Sequence, residues 1–379
     1  MKHAAPAILS ALLALPALAD DAPALRVAAV GQALVKQDLR KVAPVAVQQA
    51  QQYLAGVDVA FTNLEVAVAP ADAPVTKSGP NVTHVTPDVL AGLRAMGFNL
   101  LSLANNHAWD LGERGLLTTI EESRKAGFTV AGTGRDAAEA GAPAFLDTPN
   151  GRVALIAIAS GAIQLEDPST WAGPDRPGVN YLDLRDDGTP DPAQKQRILA
   201  SVRAASAHSD LVLVYHHNHF WGPRRGPDAP PGRDARIDRF ETPAWLEVLA
   251  RELIDHGAGA FIGHGNPALH GLEIHRGRPI LYGLGNYIFH AVAHADRYGP
   301  TAYQSVVAHL EFREGRVSGM SFRPLVLSLV PTGEARAGVP YLASTGEARA
   351  VLLYLQDQSA RYGTRIVIDG DVARWEPGR

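Results

Sequence analysis

Residues 99–115 of this 379-residue chain place a short apolar strand directly before a group of polar side chains. The apolar run ends at Asn105, and Asn106, His107 and Asp110 follow before a helical pattern begins. In open α/β sheets, ligands bind beyond the carboxyl ends of the strands. The stretch therefore predicts an α/β fold with a functional site at one edge of a sheet.

The same pattern of apolar strand and helix recurs along most of the chain. Buried strands are predicted from the apolar runs at 25–34, 57–65, 151–160, 211–215 and 260–264. Strands that alternate with helices indicate a sheet covered by helices. The paired pattern around Glu314 and Gly315 indicates a hairpin, which we interpret as a candidate second, antiparallel sheet.

Composition excludes several classes of protein. The formal net charge of -4 gives no support to nucleic-acid binding. The chain has no cysteine, which excludes a disulfide framework, a thiolate metal site and a lipid-anchored cysteine.

Residues 1–19 have the pattern of a secretory signal peptide. Lys2 supplies the positive start, an apolar run follows, and Ala17 and Ala19 form a small-residue cleavage site. The run is too short for a transmembrane helix, although an N-terminal anchor is the alternative. We therefore expect a periplasmic or secreted protein with no membrane span after cleavage.

Four predicted strands end in side chains that can bind a metal. These side chains are Glu65, Asn106 with His107, His217 with His219, and His264. Imidazole nitrogens and carboxylate oxygens are the usual ligands of borderline divalent metals. His216 alternates with His217, so we expect it on the opposite face of the sheet. The pattern predicts one convergent metal or catalytic site, the alternative being a set of unrelated polar loops.

The stretch 104–115 resembles the A-N-N-H-x-x-D-x-G-x-x-G signature of the CapA family of capsule, or poly-γ-glutamate, synthesis proteins, which have a calcineurin-like metallophosphoesterase fold. Residues 62–65, 215–221 and 262–289 resemble further motifs of that family in the same order. The resemblance implies a four-layer α/β/β/α sandwich. With the signal peptide at 1–19, it implies a family domain over 25–330 and a C-terminal helix-strand extension over 331–379 packed on that domain.

The resemblance also implies roles for individual residues. It makes Asn106 a metal ligand, His107 the proton donor to a leaving group, and Asp110 the residue that orients His107. The remaining ligands would be Glu65, His264 and His217 or His219. The implied cofactor is one or two divalent ions of manganese, iron or zinc, and the implied chemistry is metal-assisted hydrolysis.

Two positions depart from the family pattern. Gln32 stands where the family commonly has an aspartate ligand, and Pro267 stands where it has a second histidine. His270 could replace that histidine only if the loop bulges. We expect these departures to reduce a two-metal site to one metal, or to abolish it.

Two functions are consistent with these residues. The first is a metal-dependent hydrolase acting on an anionic cell-surface polymer or a phosphoester. The second is a non-catalytic binding or scaffold protein that assists export or assembly of an anionic capsule polymer, with capsule-export proteins as possible partners. His107 with Asp110 favours the enzyme, whereas Gln32 and Pro267 favour the scaffold.

Overall fold

The computed structural model of the chain describes residues 24–76, 84–161, 165–220, 240–291 and 299–377. The predicted signal peptide at 1–19 lies outside the described residues. Within them, no helix is both long and apolar enough to cross a membrane.

The described elements alternate as the sequence predicts. The strands are β1 (Leu25–Ala29), β2 (Gln32–Leu34), β3 (Val59–Asn63), β4 (Ala67–Val68), β5 (His84–Val85), β6 (Leu100–Ser102), β7 (Thr129–Ala131), β8 (Thr133–Gly134), β9 (Ala144–Thr148), β10 (Gly151–Ser160), β11 (Gly178–Val179), β12 (Leu211–Asn218), β13 (Ala260–His264), β14 (Leu272–His275), β15 (Arg278–Leu281), β16 (Asn286–Phe289), β17 (Gln304–Arg313), β18 (Arg316–Leu327), β19 (Pro340–Leu342), β20 (Ile366–Asp369) and β21 (Val372–Trp375). The α-helices are α1 (Leu39–Val42), α2 (Pro44–Tyr53), α3 (Asp88–Met96), α4 (Gly112–Lys125), α5 (Ala137–Gly141), α6 (Pro192–Ser206), α7 (Ala244–Asp255) and α8 (Thr345–Ala360).

The larger sheet has the strand order β20-β21-β18-β17-β1-β3-β6-β7, and β19 pairs with β18. β1, β3, β6 and β7 are parallel, whereas β17 is antiparallel to β1. The β17–β18 hairpin therefore extends the first sheet, and the expectation that it forms a separate second sheet is wrong. Apolar side chains pair along this junction, with Leu25 opposite Phe312 and Val27 opposite Leu310, so the hairpin completes the core.

The smaller sheet has the order β14-β15-β13-β12-β10-β9. Side chains alternate along its central strands: Val212 and Val214 pack with α6 and α7, while Leu213 and Tyr215 belong to the main apolar core. The main core also contains Phe61 of the larger sheet, whose ring centroid lies 5.4 Å from that of Tyr215. The chain is thus a mixed α/β protein, as the sequence predicts.

Short elements bring loops to the carboxyl ends of these strands. β2 pairs in parallel with β16, which places Gln32 opposite Asn286. α3 ends at Met96, and the next residue, Gly97, has a φ of 113° that gives the left-handed turn at the start of the return to β6. β6 then ends at Ser102, and the polar residues Asn105 to Asp110 fill the loop before α4.

Candidate metal centre

Three of the predicted metal ligands lie together. The ligand atoms of Glu65, His217 and His219 all lie within 4.8 Å of one another. The two Nε2 atoms of His217 and His219 are 3.0 Å apart, and Oε1 of Glu65 is 3.9 Å from Nε2 of His217. Ligands of one divalent ion, each about 2.0–2.2 Å from the metal, need similarly short separations.

The local backbone explains how these side chains meet. Glu65 follows β3, and its amide donates to the carbonyl of Ala33 at 3.0 Å. β12 continues three residues beyond the predicted end at Tyr215, so His217 lies in the strand. The amide of His219 donates to the carbonyl of Ser160, the last residue of the neighbouring strand β10, at 2.8 Å. This hydrogen bond continues the pairing of β10 and β12 beyond the end of β12.

Asn106 joins this cluster from a third strand end. Its Oδ1 lies 2.9 Å from Nε2 of His217. Asn105, by contrast, shapes the loop: its Nδ2 donates to Asn63 and to the carbonyl of Leu64, and its Oδ1 accepts from the amide of His107. The adjacent amides therefore have different tasks, since Asn105 fixes the loop and Asn106 faces His217.

His216 faces away from the cluster, which confirms the expectation from alternation. Its Nε2 lies 2.8 Å from the hydroxyl of Ser160, and its ring packs edge-on against Trp245 and Phe261. Burial lowers the pKa of His216 to about 3. It is a neutral core residue on the helix-covered face of the smaller sheet.

Burial keeps the imidazoles of the cluster neutral. It lowers the pKa of His219 to about 4, with the charge of His107 acting in the same direction. The pKa of His217 is also well below its usual value, first through burial and then through the neighbouring histidines. Neutral imidazoles offer the nitrogen lone pairs that a metal needs.

Glu65 shows the opposite effect of the same environment. Burial raises the pKa of its carboxyl to about 7, and the charges of His107 and Asp110 act in opposite directions. Its Oε2 is buried without a hydrogen bond from any described residue. Such an orphaned oxygen beside two neutral imidazoles fits a cation, which would neutralise the carboxylate and favour its ionised form.

His264 lies beside this cluster but outside the group of three. It pairs in register with His217 across β12 and β13, and its ring lies 5.1 Å from that of Tyr215. Burial lowers its pKa to about 3, opposed by the nearby backbone of Val30. Among the described residues, neither ring nitrogen of His264 has a hydrogen-bond partner. His264 therefore has a nitrogen available for a ligand.

His107 and Asp110 form a hydrogen-bonded pair at the rim of the cluster. Nδ1 of His107 lies 2.8 Å from Oδ2 of Asp110. Burial opposes protonation of His107, but the hydrogen bond and charge of Asp110, together with the charge of Glu65, leave its pKa raised. The His107 side chain keeps 13% of its surface exposed, so the imidazole is not sealed from an incoming molecule.

The two departures from the family pattern have structural consequences. Nε2 of Gln32 donates to Asn286 at 3.0 Å, and its Oε1 accepts from the amide of Gly265 at 3.0 Å. Gln32 therefore cross-links β2, the start of β16 and the residue after β13 through a neutral amide. His270 does not replace the missing histidine in this structure, since its ring nitrogens lie 3.0 Å from Asn266 Nδ2 and 3.2 Å from the hydroxyl of Thr242.

The sequence reasoning missed Tyr215 and Asn63 as supports of the cluster. The hydroxyl of Tyr215 lies 3.1 Å from Nδ1 of His217, and Nδ2 of Asn63 lies 3.5 Å from the same nitrogen. Strand periodicity could have identified Tyr215, because residues two apart on a strand share a face. No local signal identifies Asn63, whose neighbour His217 lies 154 positions away.

The chain is similar to known proteins along most of its length. A family model described as bacterial capsule synthesis protein PGA_cap matches residues 26–291. A probable polyglutamine synthesis accessory protein of Mycobacterium tuberculosis is 31% identical, over 83% of this chain and 76% of that protein. The PGA biosynthesis protein CapA of Bacillus subtilis is 29% identical, over 52% of this chain and 44% of that protein.

A solved structure described as a novel phosphatase from Mycoplasma pneumoniae has a TM-score of 0.47 and 11% identity, and covers 80% of this chain and 94% of that chain. The family match spans most of the described fold and contains every predicted site residue from Glu65 to His264. This chain therefore belongs to the family of bacterial capsule synthesis proteins, as its resemblance to CapA predicted.

Proposed function

We propose that this chain is a metal-dependent hydrolase of an anionic, poly-γ-glutamate-type cell-surface polymer. The observation that carries the proposal is the His107–Asp110 pair at the rim of the Glu65, His217 and His219 cluster. A proton donor beside a candidate metal site is the arrangement that hydrolysis of an unactivated bond requires. The similarity to a probable polyglutamine synthesis accessory protein and to a PGA biosynthesis protein supports the polymer class.

Each residue of the site would have a separate role in hydrolysis. A divalent ion of manganese, iron or zinc, held by Glu65, His217 and His219 with Asn106 beside them, would polarise the scissile group and stabilise developing negative charge. Asp110 holds the proton on Nδ1 of His107 and orients the ring. Water adds to the scissile carbon or phosphorus, and Nε2 of the protonated His107 ring gives its proton to the departing amine or alcohol as that bond breaks.

The proposal includes the four-layer α/β/β/α sandwich and a periplasmic or secreted location. The alternation of Val212 and Val214 toward helices with Leu213 and Tyr215 toward the main core supports the layers. The sequence pattern at 1–19 supports the location.

The second candidate is a non-catalytic protein that binds the polymer and assists capsule-export partners. The hydrogen bonds of Gln32 favour it, because both ends of that amide are occupied by Asn286 and Gly265. His270, which contacts Asn266 and Thr242, favours it for the same reason. Under this proposal any metal is structural.

The two candidates differ in turnover. The purified chain is loaded with manganese, iron or zinc, its bound metal is counted by mass spectrometry, and hydrolysis of γ-glutamyl and phosphodiester bonds is assayed. We expect about one ion per chain and activity that falls about 10²-fold or more in His107→Ala. His216→Gln, on the opposite face of the smaller sheet, is the matched control and should keep both the bound ion and the activity. A loaded protein without activity on either bond contradicts the hydrolase.

A further inference from the structure

Two cations from distant parts of the chain, Lys36 and Arg336, lie near each other and near His290, and Lys36 also lies near the His107–Asp110 pair. Lys36 follows β2 by two residues and is half-buried, whereas Arg336 is an exposed residue of the loop after β18. Burial and the charge of Arg336 lower the pKa of Lys36, and the charge of Asp110 opposes them. The charge of Lys36 in turn disfavours the protonated form of His107. We call Lys36 and Arg336 the cationic corner.

Hydrogen bonds fix the segment that carries Arg336. The side chain of Gln37 donates to the carbonyl of Glu334 at 3.0 Å and accepts from the amide of Arg336 at 2.8 Å. Gly338, with a φ of 88°, lies so close to Phe289 that an added Cβ would be 1.9 Å from the Phe289 carbonyl oxygen. The backbone of Arg336 is thus held on both sides, by the Gln37 side chain and by the close packing of Gly338.

No acid forms an ion pair with the cationic corner among the described residues. Among the described residues, no hydrogen bond or ion pair reaches the ammonium of Lys36 or the guanidinium of Arg336, whereas Lys41 and Arg40 nearby in sequence both pair with acids. Exposed arginines are commonly unpaired. A half-buried lysine next to a second cation is less common, because burial and repulsion both disfavour its charge.

His290 adds a donor to the same corner. Its Nδ1 accepts from the amide of Lys36 at 2.9 Å, so the neutral ring carries its proton on Nε2. Nε2 is buried and has no partner among the described residues. The corner therefore combines a buried N–H that has no acceptor with two cations that solvent can reach, and unpaired cationic donors are the chemistry that binds an oxyanion.

We propose that Lys36 and Arg336 bind a free carboxylate of the polymer and hold the adjoining bond beside His107. The inference rests on the proposed function and specifies its substrate as a carboxylate-bearing chain. A γ-linked glutamate polymer carries one free carboxylate per residue, so a charge adjoins every amide bond. The formal net charge of -4 disfavours a polyanion overall, and local cations are needed to attract it. Arg336 lies outside the matched residues 26–291, so this contact belongs to the C-terminal segment.

Binding can be tested without turnover in the full chain carrying His107→Ala. The probe is a γ-linked glutamate decamer, compared by titration calorimetry with the same decamer in which every free carboxylate is a carboxamide. We expect the acidic decamer alone to bind, and its affinity to fall about 10-fold or more in the Lys36→Gln, Arg336→Gln double variant. Lys36→Arg should retain most of the affinity, and Arg349→Gln, an exposed arginine on α8, is the matched control.

The outcomes separate this inference from the proposed function. Equal binding of the acidic and amidated decamers, or unchanged affinity in the double variant, overturns the cationic corner. Tighter binding of inorganic phosphate than of the decamer, lost in the same variant, overturns the assignment to a carboxylate. Binding that depends on Lys36 in a chain without hydrolase activity supports the corner and contradicts only the hydrolase. Hydrolysis with unchanged kcat/KM in the double variant supports the hydrolase and contradicts the cationic corner.

Discussion

The hydroxyl of Tyr215 lies 3.1 Å from Nδ1 of His217, and this contact turns the opposite nitrogen of the ring toward Glu65 and His219. A partner on the second nitrogen fixes the tautomer and the orientation of a metal-binding histidine. Both side chains are fully buried, so a water molecule from bulk solvent cannot take the place of the hydroxyl.

We therefore expect Tyr215→Phe to weaken divalent-metal binding by about 10-fold while the protein stays folded. The measurement is competition with a chromogenic chelator, and Tyr341→Phe, on the distant β19, is the control. Equal metal affinity in Tyr215→Phe and the wild type would show that the hydroxyl does not orient His217.

Asp110→Asn is expected to reduce hydrolysis of unactivated substrates by about 100-fold, because the amide no longer holds the proton on Nδ1 of His107. The loss should be much smaller for a p-nitrophenyl ester, whose leaving group needs no protonation. The bound-metal count should not change. Glu113→Gln, in the exposed first turn of α4, is the control, and an equal loss on both substrates would rule out the positioning role of Asp110.

Gln32→Glu should destabilise the metal-free protein by about 2–4 kcal/mol. The new carboxylate could still accept from Gly265, but it would face Oδ1 of Asn286, whose own Nδ2 is held by the carbonyl of Ala302 at 2.8 Å. Urea unfolding measures the change, and Gln52→Glu, on the exposed side of α2, is the control at about 0.5 kcal/mol or less. An unaltered unfolding midpoint would mean that the amide cross-link is dispensable.

His290 should make the protein sensitive to acid. Burial, with the charges of Arg336 and Lys36, lowers its pKa in the folded chain to about 3, against about 6.5 when unfolded. As the pH falls through this interval the unfolded chain binds a proton that the folded chain does not, so stability is lost by about 1.4 kcal/mol per pH unit.

His290→Asn keeps an acceptor for the amide of Lys36 and removes the titrating ring. Its stability, measured by urea unfolding at steps between pH 7 and pH 4, should therefore fall less steeply than that of the wild type by about 1.4 kcal/mol per pH unit. Both proteins should respond alike above pH 7. Parallel curves over the whole range would contradict the account.

Local patterns in the sequence predicted much of the fold and the corner of the site around His107. The apolar strand before Asn105, the helix after Asp110 and the strand that ends at His264 depend on residues close together in the chain. The hydrogen bond between His107 and Asp110 spans three positions, and short spacing limits where such side chains can point. The family resemblance rested on the same local motifs.

Only the tertiary structure decided how distant segments meet. It joined β17 to the edge of β1, brought both His217 and His219 to Glu65, and used the amide of Gln32 as a cross-link across 254 positions to Asn286. It also placed Arg336 beside Gln37, 299 positions away, which no periodicity could indicate. Side-chain patterns determine which face of an element is buried, whereas contacts between elements depend on the path of the whole backbone and on the packing that closes the core.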